Sequence, residues 1–220
     1  MLVESKGLIL KVFPYSNTSI ICNIFTNNFG KLTLMVKGVR KPKKPLLSII
    51  QPFNLVEIQY YYKKSRGIQL VKEADIIISF DKLRTNFNSI LFGSIILGII
   101  NKVFEKEYPN EIIFRLICKT LNQLSKDNYK NKIMFLFFLY HLNKQLGFMP
   151  TIKNNSELSE SSKIFLNDIN KTHINDIFDI KVVDENLLEC YYFIIHFMKI
   201  HINYMTNLKG LEKIEDIYNA

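Results

Sequence analysis

The sequence predicts an α+β protein, with a β-rich part up to about residue 80 and a helical part after it. Short β-rich runs separated by turn residues occupy residues 1–80, and apolar residues recur at helical spacing from residue 87 onward. The charge also changes along the chain. Residues 1–80 hold 12 lysines and arginines against 4 acidic residues, whereas residues 151–220 hold 7 against 11. We therefore expect two domains, 1–80 and 81–220, with the first suited to a polyanionic partner.

Five runs before residue 80 are predicted to be strands. They are rich in apolar and β-branched residues, and the third run alternates polar and apolar residues with the period of two that a half-buried strand requires. The predicted strands are Ser5–Phe13, Ser19–Thr26, Lys31–Lys37, Phe53–Tyr62 and Gly67–Ala74. Pro14 is expected to end the first of them. Five short strands with turns between them favour a small closed barrel or a sandwich.

Four helices are predicted after residue 81. The first, Phe87–Ile100, is apolar on nearly all sides, so we expect it to be buried. Its 14 residues are fewer than the roughly 20 that a membrane-spanning helix needs. The other predicted helices are 109–124, 130–146 and 185–203, and Gly147 is expected to cap the third. The polar stretch 154–162 is predicted to be a loop, within an irregular segment at 151–183.

The composition argues against several classes of protein. Hydrophobic residues make up 48% of the chain, which is enough for a core and excludes a disordered tail. The three cysteines form no CxxC pair, so we expect a reducing, cytoplasmic compartment and no metal. There is no GxxxxGK[ST], GxGxxG or HExxH motif. We therefore expect no enzymatic activity and no cofactor.

The segment Lys37–Pro45 is the most informative in the sequence. Its nine residues include five basic side chains, two prolines and no acid. The prolines keep the segment out of a helix, so its cations should stay spread over a surface that can hold several phosphates. The alternative is a solvated loop without a ligand. The candidate phosphate-binding residues are Lys37, Arg40, Lys41, Lys43 and Lys44.

A second basic cluster, Lys63, Lys64 and Arg66, directly follows three tyrosines at 60–62. Aromatic rings beside cations are typical of proteins that bind single strands, because bases stack on rings while cations contact the backbone. Alternate residues of a strand point to opposite faces, so at most two of the tyrosines can share a surface. Packing in the core or in a hairpin is the alternative for these rings.

Several short motifs follow one another along the chain. They are Tyr15–Ser19, Phe25-Thr26, Gly30, Lys37–Arg40, Gln51–Phe53, Leu55–Glu57, Leu70–Ala74, Leu146–Pro150 and Leu208–Leu211. In this order they resemble the motifs of RecO, a bacterial family of recombination mediators. The resemblance extends over nearly the whole chain, and the opening third is its most specific part.

The resemblance implies an OB-fold barrel followed by a helical domain, without catalytic residues. It implies binding to single- and double-stranded DNA, annealing of complementary strands, and a nucleoid-associated location. It also implies that the helical domain engages the acidic tail of single-stranded-DNA-binding protein, and that the protein acts with RecR to load RecA onto coated strands. Many members carry a four-cysteine zinc site after the Leu-Gly-Phe-Met-Pro motif, but residues 151–156 contain no cysteine, so we expect no zinc here.

The acidic tail requires a hydrophobic groove rimmed by cations. The candidates for this rim are Arg115, Lys119 and Lys132, on the second and third predicted helices. The alternative is that they form the solvated faces of core helices. An alternative function is also open, in which the helical domain is a protein-interaction scaffold that binds an acidic partner without direct contact to DNA.

Overall fold

The amino-terminal strands form a five-stranded barrel in the computed structural model of the chain. The structure describes residues 1–39, 46–126, 130–148, 151–152, 155–181, 183–202 and 211–219. The strands are β1 (Leu2–Tyr15), β2 (Ser19–Thr26), β3 (Gly30–Val36), β4 (Asn54–Tyr61) and β5 (Gln69–Ser79). A short helix, α1 (Leu46–Ile49), lies between β3 and β4.

The strands pair as a ring in the order β1-β2-β3-β5-β4. All neighbours are antiparallel except β3 and β5, which are parallel and joined only through Leu34 with Gln69 and Met35 with Leu70. Strand β1 is long enough to pair with β4 through its first half and with β2 through its second half. A five-stranded, partly open barrel is the OB-fold arrangement. The predicted α+β class with an amino-terminal OB-fold is therefore confirmed.

Alternating side chains of these strands fill the barrel. Ile9, Ile24, Leu34 and Ile58 are fully buried, and a Cβ atom added at Gly7 would lie 2.4 Å from Cδ1 of Ile24. The alternation of polar and apolar residues in the sequence thus separates the side chains that face the barrel interior from those on its outer face. Strand β1 runs through Pro14 to Tyr15, beyond the predicted end. Pro14 is tolerated because it lies next to the end of the strand, where one missing N–H costs little.

The helices that follow are α2 (Phe87–Val103), α3 (Glu111–Leu124), α4 (Asn131–Gln145), α5 (Glu160–Lys171), α6 (Asp184–His201) and α7 (Leu211–Asn219), with 3₁₀ turns at Asp81–Thr85 and Ile177–Asp179. The four predicted helices are present with small shifts of their ends. Gly147 has φ of 82° after α4, as a C-cap requires. None of the helices within the described ranges is long and apolar enough to span a membrane.

Helix α5 corrects the prediction of an irregular segment at 151–183 and of a loop up to residue 162. The prediction was wrong because this helix buries only a few apolar residues, Phe165, Leu166 and Ile169, in an otherwise polar sequence. Ser159 caps its start by accepting a hydrogen bond from the Ser162 backbone N–H at 3.2 Å.

The chain forms two compact units. The first combines Met1–Asp81 with Ile96–Cys118, and the second combines Lys82–Ile95 with Lys119–Ala220. The core of the second unit is aromatic, with the rings of Tyr191 and Tyr218 stacked at 4.4 Å. Because residues 96–118 belong to the barrel unit, the division of domains after residue 80 stays a prediction.

Candidate nucleic-acid interface

Described residues on both sides of the basic segment, Lys37–Lys44, pack against the barrel core. The exposed Lys37 is flanked by Val36 and Val39, which are both buried in the barrel core. Gly38 turns the chain between them with φ of 66°, a conformation that favours glycine. On the far side, Leu46 packs against the same core. Of the five phosphate-binding candidates, only Lys37 is among the described residues. The other four, Arg40, Lys41, Lys43 and Lys44, lie outside them.

The second cluster lies on the turn between β4 and β5, where Lys63, Lys64 and Arg66 are all exposed. The buried amide of Gln69 fixes this turn. Its Oε1 accepts from the Lys63 N–H at 2.9 Å, and its Nε2 donates to the carbonyl oxygens of Lys63 at 3.1 Å and Arg66 at 2.7 Å. The turn therefore holds three cations at the surface on a defined backbone.

This turn lies near the start of β3, and Lys37 follows its end. Glu107 links the two segments there, since its N–H donates to the Lys31 carbonyl at 3.0 Å and its carboxylate accepts from the Tyr62 hydroxyl at 3.0 Å. Burial lowers the pKa of Lys31, and the nearby charge of Lys106 lowers it further. These two lysines add positive charge near the start of β3. Among the described residues, no hydrogen bond joins Lys37 to the second cluster.

The three tyrosines before this turn have different environments. Tyr60 is fully buried and its hydroxyl lies 3.0 Å from Oγ of Ser5. The Tyr62 ring packs against Phe29, with 5.1 Å between the ring centroids. Only Tyr61 is largely exposed, at 46%. Core packing thus accounts for Tyr60, and a row of stacking tyrosines does not form.

A different aromatic pair was missed in the sequence. Phe13 and Tyr15 lie on the outer face of β1 with 38% and 49% of their surface exposed. The Lys11 Nζ atom lies 4.7 Å from the centroid of the Phe13 ring. The spacing of two between Lys11, Phe13 and Tyr15 was the available signal, but the expected break at Pro14 concealed it.

The predicted tail-binding residues are divided between the two units, with Arg115 in the first and Lys119 and Lys132 in the second. Arg115 is exposed on α3 and pairs with Glu111, one helical turn away in the barrel unit. Lys119 is exposed farther along α3. Lys132 belongs to the second unit, where its Nζ lies 5.8 Å from the centroid of the Tyr218 ring.

Lys132 instead lines a groove of the second unit, about 440 Å³ in volume. Apolar side chains and three lysines surround it, with one acid. The described lining residues are Lys130, Lys132, Ile133, Ile180, Lys181, Asp184 and Leu187. Lys130 also donates through Nζ to the Phe178 carbonyl. Sequence reasoning missed Lys130 and Lys181 because they are far apart in the chain and meet only through tertiary folding.

The described residues contain no cluster of three or more histidine, cysteine or acidic side chains suited to a metal ion. Burial raises the pKa of the thiols of Cys22, Cys118 and Cys190 to about 12, so these thiols are protonated at neutral pH. Burial also lowers the pKa of His141, whose Nε2 lies 3.2 Å from the Ile169 carbonyl oxygen. The three thiols and the His141 ring are thus packed among neighbouring residues, as expected for side chains that stabilise the fold.

Two family models match the chain. The model described as recombination protein O N terminal matches residues 1–80. The model described as recombination protein O C terminal matches residues 84–165. Together they cover most of the chain, and they meet where the strand pattern gives way to the helical one.

Curated relatives carry the name DNA repair protein RecO. The protein from Prosthecochloris aestuarii is 31% identical over 153 residues, which cover 70% of this chain and 58% of that protein. The protein from Salinibacter ruber is 29% identical over 151 residues, again 58% of its length. The match with the protein from Caldicellulosiruptor saccharolyticus is longer, at 27% identity over 96% of this chain and 84% of the relative.

Proposed function

Because the chain belongs to the recombination protein O family, we propose that it is a non-enzymatic recombination mediator in DNA repair. In this proposal it binds single- and double-stranded DNA, anneals complementary strands, and helps RecR load RecA onto strands coated by single-stranded-DNA-binding protein. The observation that carries the proposal is the packing of the residues that flank the basic segment. Val36 and Val39 are buried in the barrel core and Leu46 packs against it, and the sequence between Val36 and Leu46 contains five cations and no acid.

The physical basis of binding is the release of counterions from phosphates. Each phosphate that a lysine neutralises adds close to one unit to the dependence of log K on log salt. Annealing needs no bond chemistry, because a cationic surface screens two phosphate backbones and raises the rate at which the strands meet. The second cluster, at Lys63, Lys64 and Arg66, would contact phosphates on another part of the strand.

The test is a titration of fluorescent oligo-dT from low to physiological salt. The wild type is compared with Lys41→Ala, Lys43→Ala and Lys44→Ala combined, and we expect the salt slope to fall by about three units. The matched control is the triple variant Lys126→Ala, Lys144→Ala and Lys171→Ala, which removes the same charge from the helical part and should keep the wild-type slope. Absence of wild-type binding at low salt would refute direct DNA binding and favour the scaffold alternative.

We further propose that the groove in the second unit receives the acidic tail of single-stranded-DNA-binding protein. Lys130, Lys132 and Lys181 would pair with acidic side chains or with the terminal carboxylate, while Ile133 and Leu187 would contact the apolar end of the tail. Such a groove also supports the scaffold alternative, since it could act without the basic segment. Arg115 and Lys119, on α3, are the alternative candidates for contact with the tail.

Anisotropy of a labelled acidic peptide with an apolar carboxyl end tests this second site. Lys132→Glu combined with Lys181→Glu should weaken binding at least about tenfold, as expected when two charge-assisted contacts are lost. Lys171→Glu, which lies outside the groove, should leave affinity unchanged. If Arg115→Glu or Lys119→Glu abolishes binding while the groove variant binds normally, the site lies on α3 instead.

We also propose that residues 1–80 act as the nucleic-acid-binding domain and residues 81–220 as the partner-binding domain. The separate matches of the two family models support this division of the chain. RecR is proposed as a further partner, and a cytoplasmic, nucleoid-associated location as the place of action.

A further inference from the structure

The outer face of β1, β2 and β3 carries ordered rows of side chains. Antiparallel pairing sets Tyr15 opposite Ser19, Phe13 opposite Ile21 and Lys11 opposite Asn23. These side chains share the outer face, because residues paired directly across a sheet point to the same side. The intervening residues of β2, Ile20, Cys22 and Ile24, are buried inside the barrel.

One end of this face is covered within the barrel unit. Asn23 donates through Nδ2 to Oδ1 of Asn101 at 2.9 Å, and Lys31 donates through Nζ to the Asn101 carbonyl at 2.7 Å. The Phe25 ring packs against Phe104, with 5.1 Å between centroids. Residues 96–118 therefore cover the face from Asn23 toward the turn between β2 and β3.

The other end of the face is open among the described residues. Phe13 and Tyr15 are exposed there, and no described side chain makes a ring contact or a hydrogen bond with Tyr15. Lys37 is exposed just after the end of β3, two residues beyond Met35, so it lies beside this outer face where the basic segment begins. Two rings and two lysines, Lys11 and Lys37, thus lie on one uncovered surface.

We propose that Phe13 and Tyr15 form a stacking platform for the bases of single-stranded DNA, and that Lys11 and Lys37 hold the adjoining phosphates. This inference rests on the proposed DNA binding and adds to it a preference for single strands, which the two rings would supply. A strand whose phosphates contact Lys11 and Lys37 can turn its unpaired bases onto the rings. Base stacking on aromatic side chains tolerates any sequence because every base has a π-face.

The platform discriminates against duplex DNA. In a duplex the bases are already stacked and paired, so their faces are not available to Tyr15 or Phe13. Lysines contact the phosphates of either form. Removing the rings should therefore reduce the preference for single strands and leave the electrostatic part of binding intact.

The experiment uses the full chain and three labelled probes of equal length, namely oligo-dT, an abasic oligomer and a duplex. Phe13→Ala combined with Tyr15→Ala should weaken oligo-dT binding at least about tenfold. Binding to the abasic oligomer and to the duplex should change less than about twofold, and the salt slope should stay the same because the phosphate contacts remain. Phe13→Tyr combined with Tyr15→Phe should restore oligo-dT affinity.

The control is Tyr108→Ala, which removes a tyrosine that is 67% exposed on the same unit and should leave all three affinities unchanged. Equal losses on all three probes would contradict stacking, since a ring cannot stack on a missing base. Oligo-dT binding that is unaffected in the double variant, with a steep wild-type salt slope, would refute the platform and leave the proposed function standing. A wild type that binds no probe would overturn both.

Discussion

Gln69 illustrates how one buried side chain can organise a surface. Its amide is 1% exposed and makes three hydrogen bonds to the backbone of the turn that carries Lys63 and Arg66. The residue contributes no charge, yet it fixes the position of three charges. Amide groups serve this purpose well because one group both donates and accepts.

Gln69→Ala should lower the free energy of unfolding by about 1–3 kcal/mol, the range expected when buried hydrogen bonds lose their partner. Urea denaturation measures this loss. Gln59→Ala is the matched control on β4, since the Gln59 amide bonds to Glu4 at the exposed surface, and it should cost less than about 0.5 kcal/mol. Equal losses in both variants would show that Gln69 has no special role in the turn.

The aromatic residues show what the sequence can predict at this scale. The three adjacent tyrosines suggested stacking, but Tyr60 lies in the core because the pleat alternates their directions. The exposed pair, Phe13 and Tyr15, is separated by a proline that suggested the end of a strand. Local composition shows that aromatic residues and cations are close in sequence. The exposure of each ring depends on pairing partners that are distant in sequence.

At the scale of elements, a carboxylate of α6 holds the residue that caps α5. Glu189 of α6 accepts hydrogen bonds from the Ser159 hydroxyl at 2.6 Å, the Ser159 N–H at 2.9 Å and the Ser162 hydroxyl. Burial opposes ionisation of Glu189, but these hydrogen bonds outweigh it and lower the pKa of its carboxyl. A carboxylate near the start of a helix also interacts favourably with the helix dipole.

This linkage predicts a pH dependence of stability. Because the folded-state pKa of Glu189 lies below its unfolded value, the stabilisation is present above the unfolded pKa and is lost as pH falls through the folded pKa. Thermal unfolding from neutral to acidic pH should show this loss in the wild type and a smaller loss in Glu189→Gln. Glu185→Gln, at the exposed start of α6, is the control. Identical pH profiles for wild type and Glu189→Gln would contradict the linkage.

Elements with strong periodicity were predicted well. Strand β2 has the predicted bounds, Ser19–Thr26, and α3 ends at Leu124 as expected. Helix α5 was missed because its apolar stripe is short and its cap residue, Ser159, is held by Glu189, 30 residues later in the sequence. The groove lysines, Lys130 and Lys181, were missed for the same reason, since long-range folding alone brings them together.

At the scale of the whole molecule, the charge distribution separates two proposed activities. The net charge is +9, although residues 151–220 carry more acids than bases. DNA would be attracted to the barrel, while the acidic tail of a partner would be attracted only to the local cations of the groove. A variant that abolishes binding of the acidic tail should therefore leave DNA binding intact.

Strand-annealing assays on naked and on coated DNA test this independence. Lys132→Glu combined with Lys181→Glu should leave annealing of naked complementary strands unchanged and slow annealing of strands coated by single-stranded-DNA-binding protein. The combined alanine variant of Lys41, Lys43 and Lys44 should slow both. Neither reaction should require a nucleotide or Mg²⁺, because screening of phosphates needs no chemical step. A groove variant that is equally defective on naked strands would contradict two separate sites.

The most direct test of the account is to map where DNA contacts the full chain. Ultraviolet crosslinking to oligo-dT at low salt, followed by identification of the crosslinked peptides by mass spectrometry, provides this map. We predict crosslinks within residues 11–46, with Phe13 and Tyr15 among the modified positions, and their loss at high salt. Crosslinks confined to the helical segments 130–145 and 180–187 would contradict DNA binding by the barrel.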